Sequence, residues 1–169
     1  MQKFSREYQQ KLVSVEYAAS LVNSHDWIDY GNLSGQTVAF DQALARRVHE
    51  LRDVKISTIL PQYTPRVMEV DPEGESFIWN SWHFSKWDRK AAHQQRAVYY
   101  APIRYSELPR YIRENVEPID ISVRQVSPMD EHGYFNFGPQ NSHSKAVCER
   151  ARIVIVEVNQ NQPRCLGGY

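Results

Sequence analysis

Tyr30-Gly-Asn-Leu-Ser-Gly-Gln36 stands between a strand-like run and a helical one, so its backbone amides are placed to meet an anion at a helix start. Gly31 and Gly35 are four apart and no third glycine follows, which excludes the dinucleotide-binding fingerprint and leaves an ordinary strand-to-helix turn as an equal reading. Trp79, Trp82, His83, Phe84 and Trp87 gather aromatic surface that suits an apolar ligand pocket, or the commoner duty of packing a helix on a sheet. His83 with Asp88 invites a histidine-carboxylate reading, but no nucleophile stands at a recognisable spacing. The remaining histidines show no pair one helical turn apart, so no metal site is expected.

Ser127 precedes Pro128 without the glycine elbow of a serine nucleophile and reads as a strand-end residue whose hydroxyl satisfies loop amides. Asn136, Gln140 and Asn141 suit hydrogen bonding across a cleft, or turn and cap duty. Lys86, Arg89, Lys90, Arg104, Arg110 and Arg113 form a basic set for phosphates, with Asp88, Glu107 and Glu114 beside them offering the plainer account of surface pairs.

The elements that must position these residues alternate between strand length and helix length, the pattern of βα units around a parallel sheet. Ser14 caps a helix over 15–22, and a strand follows over 26–30. Phe40, Leu44, Val48 and Leu51 mark one face of a helix over 37–51, with Arg46 and Arg47 toward water. A strand over 54–60 stops at Pro61, and 64–76 reads as an irregular connection with at most a short helical turn. A strand over 77–79 leads to a Ser85-capped helix through Gln95. Then come a strand over 98–103 and a Ser106-capped helix through Val116 with Pro109 in its first turn.

Ile119 to Val126 alternates and ends at Ser127-Pro128; Asp130 and Gly133 supply turn chemistry before a second aromatic strand over 134–137. A helix over 142–150 and a β-branched strand over 153–158, expected to be central and covered on both faces, complete the order. In such sheets ligands lie beyond the carboxyl ends of the strands, which points to the loops 30–36, 61–65, 127–133 and 159–168.

At 169 residues the chain fits one domain that buries about two thirds of its unfolded surface. Twenty basic and twenty acidic residues leave no net charge to draw it toward nucleic acid or an anionic membrane. Cys148 and Cys165 make no disulfide framework, and a reducing cytoplasm is the expected location. No apolar window is long enough for a signal peptide or a membrane span.

Four strings occur in one order: Asn80-Ser-Trp-His-Phe-Ser-Lys-Trp-Asp-Arg-Lys90, Pro102 to Arg110, Gln125-Val-Ser-Pro-Met-Asp-Glu-His-Gly-Tyr-Phe-Asn-Phe-Gly138, and Glu157 to Gly168. Together they resemble the amino-terminal domain of the acetyl-CoA hydrolase/transferase family, and within it the butyryl-CoA:acetate CoA-transferases. The resemblance runs from about Tyr8 to Tyr169. It implies an α/β fold, a three-layer, open, mostly parallel and Rossmann-like sheet with helices on both faces. The implied substrates are a coenzyme A thioester and a short-chain carboxylate, with no tightly bound cofactor.

The resemblance also implies a glutamate nucleophile in a carboxyl-terminal domain, and no glutamate of these residues, Glu69, Glu75, Glu131 and Glu157 included, matches its position. No catalytic residue is therefore assigned; the chain is expected to be inactive alone, with that domain as its partner and a homo-oligomer as the assembly. Gly31, Asn32, Gly35, Trp82, His83, Ser127 and Asn136 are the expected contributors to the acyl end of the cleft. Hydrolysis by the same scaffold, or a free-standing binding module, are the competing readings.

Overall fold

The apolar runs pair into a single sheet. In the computed structural model, which describes residues 2–114 and 118–166, the strands are β1 (Trp27–Asn32), β2 (Val54–Ile59), β3 (Phe77–Ser81), β4 (Val98–Tyr100), β5 (Ile121–Val126) and β6 (Ile153–Val158). Their spatial order is β4-β3-β2-β1-β5-β6. Every pairing is parallel, so the sheet expected to be mostly parallel is wholly so among the described strands. The chain steps outward from β1 to β4, then returns to the other side of β1 with β5. The order therefore reverses between β1 and β5, and a crevice opens outside their carboxyl ends.

The helices are α1 (Gln2–Lys11), α2 (Val15–Ser20), α3 (Val38–Ala45), α4 (Arg66–Val70), α5 (Lys86–His93), α6 (Leu108–Arg113) and α7 (Ser144–Arg150). Right-handed crossovers running in opposite directions from the switch point place helices on opposite faces. Strand alternation divides the side chains accordingly. Ile28, Tyr30, Ile56 and Val123 share one core with Ala19, Phe40, Leu44 and Val67. A smaller core joins Ile59 and Trp82 to Leu108, Ile112, Ala146 and Val147 beneath α6 and α7.

Local signals decide where two helices start. The Ser14 hydroxyl accepts from the Tyr17 amide at 3.1 Å. Ser85 and Asp88 form a reciprocal capping box at α5.

Several expectations give way to tertiary context. α1 has no counterpart in the reading above; it lies over the loop after β5, with the Tyr8 and Phe135 rings 6.0 Å apart. The helix expected over 37–51 ends at Ala45 and passes into turns. Arg47 does not face water: its Nη1 donates to the Ala19 and Val22 carbonyls at 2.6 and 2.8 Å, closing the end of α2. The strand over 98–103 shortens to three residues, while β3 runs on to Ser81. Glu107, not Ser106, stands at the N-cap of α6, which ends at Arg113; the expected end at Val116 lies outside the described residues.

The second aromatic strand over 134–137 does not form. Ser127 donates its amide to Asn136 and Asp130 to Tyr134, which folds the loop back without a ladder. β6, expected at the centre, is an edge strand with Val154 half exposed. Its β-branched run reflects the helix side of a parallel sheet and does not report position within it.

Candidate functional site at the sheet switch point

The site begins with a one-residue bulge in β1. Asp29 pairs with Ser57 and Asn32 with Ile59, so β1 holds one residue more than β2 across this step. Gly31 takes φ +76° there, and a Cβ on it would stand 3.3 Å from Arg124 Nη1. The bulge brings Gly31 and Asn32 into the strand; only Leu33 to Gly35, a single 3-10 turn, remains of the expected loop before Gln36. Gly31, Asn32 and Gly35 face Arg124, Gln125, Phe137, Gln140 and Ser144 across the crevice between β1 and β5. Gly35 approaches Gln140 so closely that a Cβ would meet its side chain at 3.1 Å.

Beneath this crevice lies a buried charge cluster. Arg124 Nη2 is 2.6 Å from Asp29 Oδ1, His143 Nε2 is 3.2 Å from Asp29 Oδ2, and the Gly31 amide donates to Oδ1 at 2.8 Å. Arg124 Nη1 also donates to the Asp29 and Val123 carbonyls. Burial by itself pushes the Asp29 carboxyl up, but Arg124 and then His143 outweigh it and hold the group well below the usual carboxylate range. The cluster ties the ends of β1 and β5 to the start of α7 by charge rather than by apolar contact.

On the opposite face of β1, burial pushes the Tyr30 hydroxyl well above its ordinary value and Asp41 up to about 6. Asp41 accepts from the Arg66 and Val67 amides, closing the start of α4. The amides that begin α3 are not offered to a ligand as the sequence suggested. Those of Val38 and Phe40 donate to the Glu157 carboxylate at 3.2 and 3.0 Å.

A line of glutamines runs along the carboxyl edge. Gln125 Nε2 donates to the Gln36 carbonyl at 3.2 Å, the Gln62 amide donates to Gln36 Oε1 at 3.2 Å, and Trp87 Nε1 donates to the Gln62 carbonyl at 2.9 Å. The loops after β1 and β2 and the start of α5 are thereby joined to the end of β5.

The other residues expected at the site separate. Trp82 is buried against Tyr111, ring centroids 5.4 Å apart, and lines a small void with Asp29, Ser57 and Ile119. His83 is exposed and has no bond to Asp88, which instead accepts from Trp79 Nε1 and the Ser85 amide. Ser127 is fully buried with its hydroxyl on the Pro128 carbonyl. Asn136 serves as a tie: its Nδ2 donates to the Cys165 carbonyl, and its Oδ1 accepts from the Gly138 and Cys165 amides.

Asp29, Arg124 and His143 escaped the sequence reading, although a signal was present. An acid inside one apolar strand and a base inside another, each covered by helices, have to find each other or be expelled. Among the described residues no group of acidic, histidine and cysteine side chains is arranged to hold a metal ion. No described helix is long and apolar enough to cross a membrane.

The profile of the acetyl-CoA hydrolase/transferase amino-terminal domain matches residues 1–169, the whole of this chain. The chain belongs to that family. Among family relatives, the butyryl-CoA:acetate CoA-transferase of Anaerostipes caccae is 46% identical over 98% of this chain and 37% of its own length. A probable butyrate:acetyl-CoA coenzyme A-transferase of Syntrophomonas wolfei is 43% identical over 99% of the chain and 37% of its own length. The chain thus spans little more than a third of the curated relatives it matches.

The crystal structure of RipA from Yersinia pestis superposes with a TM-score of 0.87 at 26% identity, covering 98% of this chain and 40% of that one. The fold of 4-hydroxybutyrate CoA-transferase from Porphyromonas gingivalis superposes with a TM-score of 0.70 at 24% identity, over 98% of this chain and 37% of that one. The all-parallel α/β sheet described above is therefore the family's fold.

Proposed function

We propose that this chain is the amino-terminal half of a short-chain acyl-CoA:carboxylate CoA-transferase and forms one wall of its acyl-CoA cleft. The observation that carries the reading is the crevice at the switch point, where Gly31, Asn32 and Gly35 meet Gln125 and Phe137, in a chain whose relatives are named CoA-transferases. A glycine bulge lets substrate approach the backbone closely, and the buried Asp29–Arg124 pair keeps that backbone from shifting. Butyryl-CoA or acetyl-CoA is the donor in this reading, and acetate or a related acid the acceptor.

The chemistry is covalent catalysis by a carboxylate in a following domain. That carboxylate adds to the thioester carbonyl and expels the CoA thiolate, leaving an acyl anhydride. The thiolate returns to the enzyme carbonyl and releases the first acid; the second acid then takes the coenzyme by the reverse steps. Gly31, Asn32 and Gly35 shape the acyl end. Trp82 acts from beneath, as part of the packing that supports the crevice, and Ser127 and Asn136 hold the loop after β5. His83 stands at the exposed rim. The following domain is the chain's partner, and the assembled enzyme is a homo-oligomer of the cytoplasm.

The test is a coupled assay of butyryl-CoA with acetate, run on the 169-residue chain and on the protein extended through the next domain. Acetyl-CoA formation by the extended protein alone supports the reading. Turnover by the short chain overturns the assignment of the nucleophile, and CoA release that is indifferent to acetate would make the protein a hydrolase.

A further inference from the structure

The smaller core beneath α6 holds a buried donor that no protein acceptor meets. Trp82 is only 5% exposed, and its Nε1 has no hydrogen-bond partner among the described residues. Trp79 and Trp87, by contrast, donate their indole N–H groups to Asp88 and to the Gln62 carbonyl. An N–H withdrawn from water loses its hydration without return, so such donors nearly always find an acceptor in the protein or in ordered water.

Two other polar side chains converge on the same place. Trp82 lines its void with Asp29, Ser57, Tyr111, Ile112 and Ile119. Asp29 of β1 and Ser57 of β2 are register partners, and Trp82 follows directly on β3, so the three groups come from adjacent strands. Ser57 is loosely engaged: its Oγ lies 3.3 Å from both the Ile28 carbonyl and Asp29 Oδ2. Hydroxyl donors ordinarily bond at about 2.7–2.8 Å. With one proton and two lone pairs, Ser57 serves one of these acceptors and keeps the capacity to accept. When that proton is on the Ile28 carbonyl, Asp29 Oδ2, which meets His143 Nε2 at 3.2 Å, has a lone pair open.

The void has a water-accessible volume of about 10 Å³, room for one water and for nothing larger. A cation there would meet the indole N–H, and an anion would meet the Asp29 carboxylate. The chemistry left is that of a small neutral molecule that both accepts and donates.

We propose that the void is a binding site for one ordered water, which accepts from Trp82 Nε1 and donates to Asp29 Oδ2 and Ser57 Oγ. Three hydrogen bonds are the usual complement of a buried water. The water gives Trp82 its acceptor and extends the hydrogen bonding of the charge cluster from β1 across β2 to the end of β3.

The test is a crystal structure of the protein extended through the next domain, at a resolution that shows ordered solvent, beside one of Ser57→Val. The expected result is a single density peak at about 2.7–3.2 Å from Trp82 Nε1, Asp29 Oδ2 and Ser57 Oγ. It should be lost in Ser57→Val, where a methyl group takes its space and its third partner is gone. No peak in the parent protein overturns the site, as does an indole N–H turned onto the Tyr111 ring or onto a protein oxygen. A peak left unmoved in Ser57→Val overturns the three-sided site as well. The parent structure decides the question by itself if the variant does not fold.

Discussion

Asp29 and Arg124 meet 2.6 Å apart beneath the crevice, both side chains almost wholly withdrawn from solvent, on the two strands between which the sheet order reverses. Each is the other's principal counter-charge, so removing one strands the other in a low-dielectric interior. Arg124→Met is expected to cost about 3–5 kcal/mol in urea unfolding. Adding Asp29→Leu to it should restore part of that loss, since an apolar pair leaves no buried charge uncompensated. Additive losses in the double variant would show that the two residues are not coupled.

The two buried acids should act on stability in separate pH windows. Asp41, pushed up to about 6, binds its proton more tightly folded than unfolded. Its contribution is greatest at low pH and disappears as pH rises from about 4 through 6, a change of about 3 kcal/mol at most. Asp29 is depressed, so its contribution is present above the ordinary carboxylate value and is lost as pH falls through its folded value. Asp41→Asn should flatten the stability profile between pH 4 and 6 and leave the acid limb unchanged. A slope that survives the substitution would remove Asp41 as its origin.

Gly133 is glycine for two reasons at once: φ is +84°, and a Cβ would stand 2.6 Å from the Phe4 ring of α1. Gly133→Ala is expected to cost about 1–3 kcal/mol. Phe4→Ala in the same chain should relieve the clash and leave only the backbone strain, which a double-mutant cycle by thermal unfolding separates. Full additivity would mean that α1 does not press on this loop.

Gly31→Ala combines positive φ with a 3.3 Å approach to Arg124 Nη1. A loss of about 1–2 kcal/mol in stability is expected. In the extended protein, a changed preference between acetyl-CoA and butyryl-CoA is expected as well, if the bulge shapes the acyl end. Unaltered stability and preference together would take the bulge out of the site.

Asp88 joins the start of α5 to the core by accepting from the Ser85 amide and from Trp79 Nε1. Asp88→Ala leaves a buried indole N–H unpaired and removes half of the capping box, so a loss of about 2–3 kcal/mol is expected. Asp88→Asn, which keeps an acceptor, should lose less.

Alternation, proline stops and caps made most of the sheet and the starts of α2 and α5 legible from the residues alone, because these signals act within a few positions. The four strings named the family for the same reason: each is a contiguous run. Local signals could not place β6 at an edge, since a parallel strand shows the same apolar run wherever helices cover it. Nor could they end α3 at Ala45, where Arg47 is drawn to the carbonyls of α2.

The site follows the same division. Gly31, Asn32 and Gly35 were visible as a glycine-bearing turn after a strand, whereas Asp29, Arg124 and His143 are separated by up to 114 positions and meet only when β1, β5 and α7 are assembled. The opposite charges of Asp29 and Arg124 are tolerable only together, with His143 bonded to the same carboxylate. Which residues form that set is decided by tertiary packing, because only there does water leave and the remaining charges have to satisfy one another.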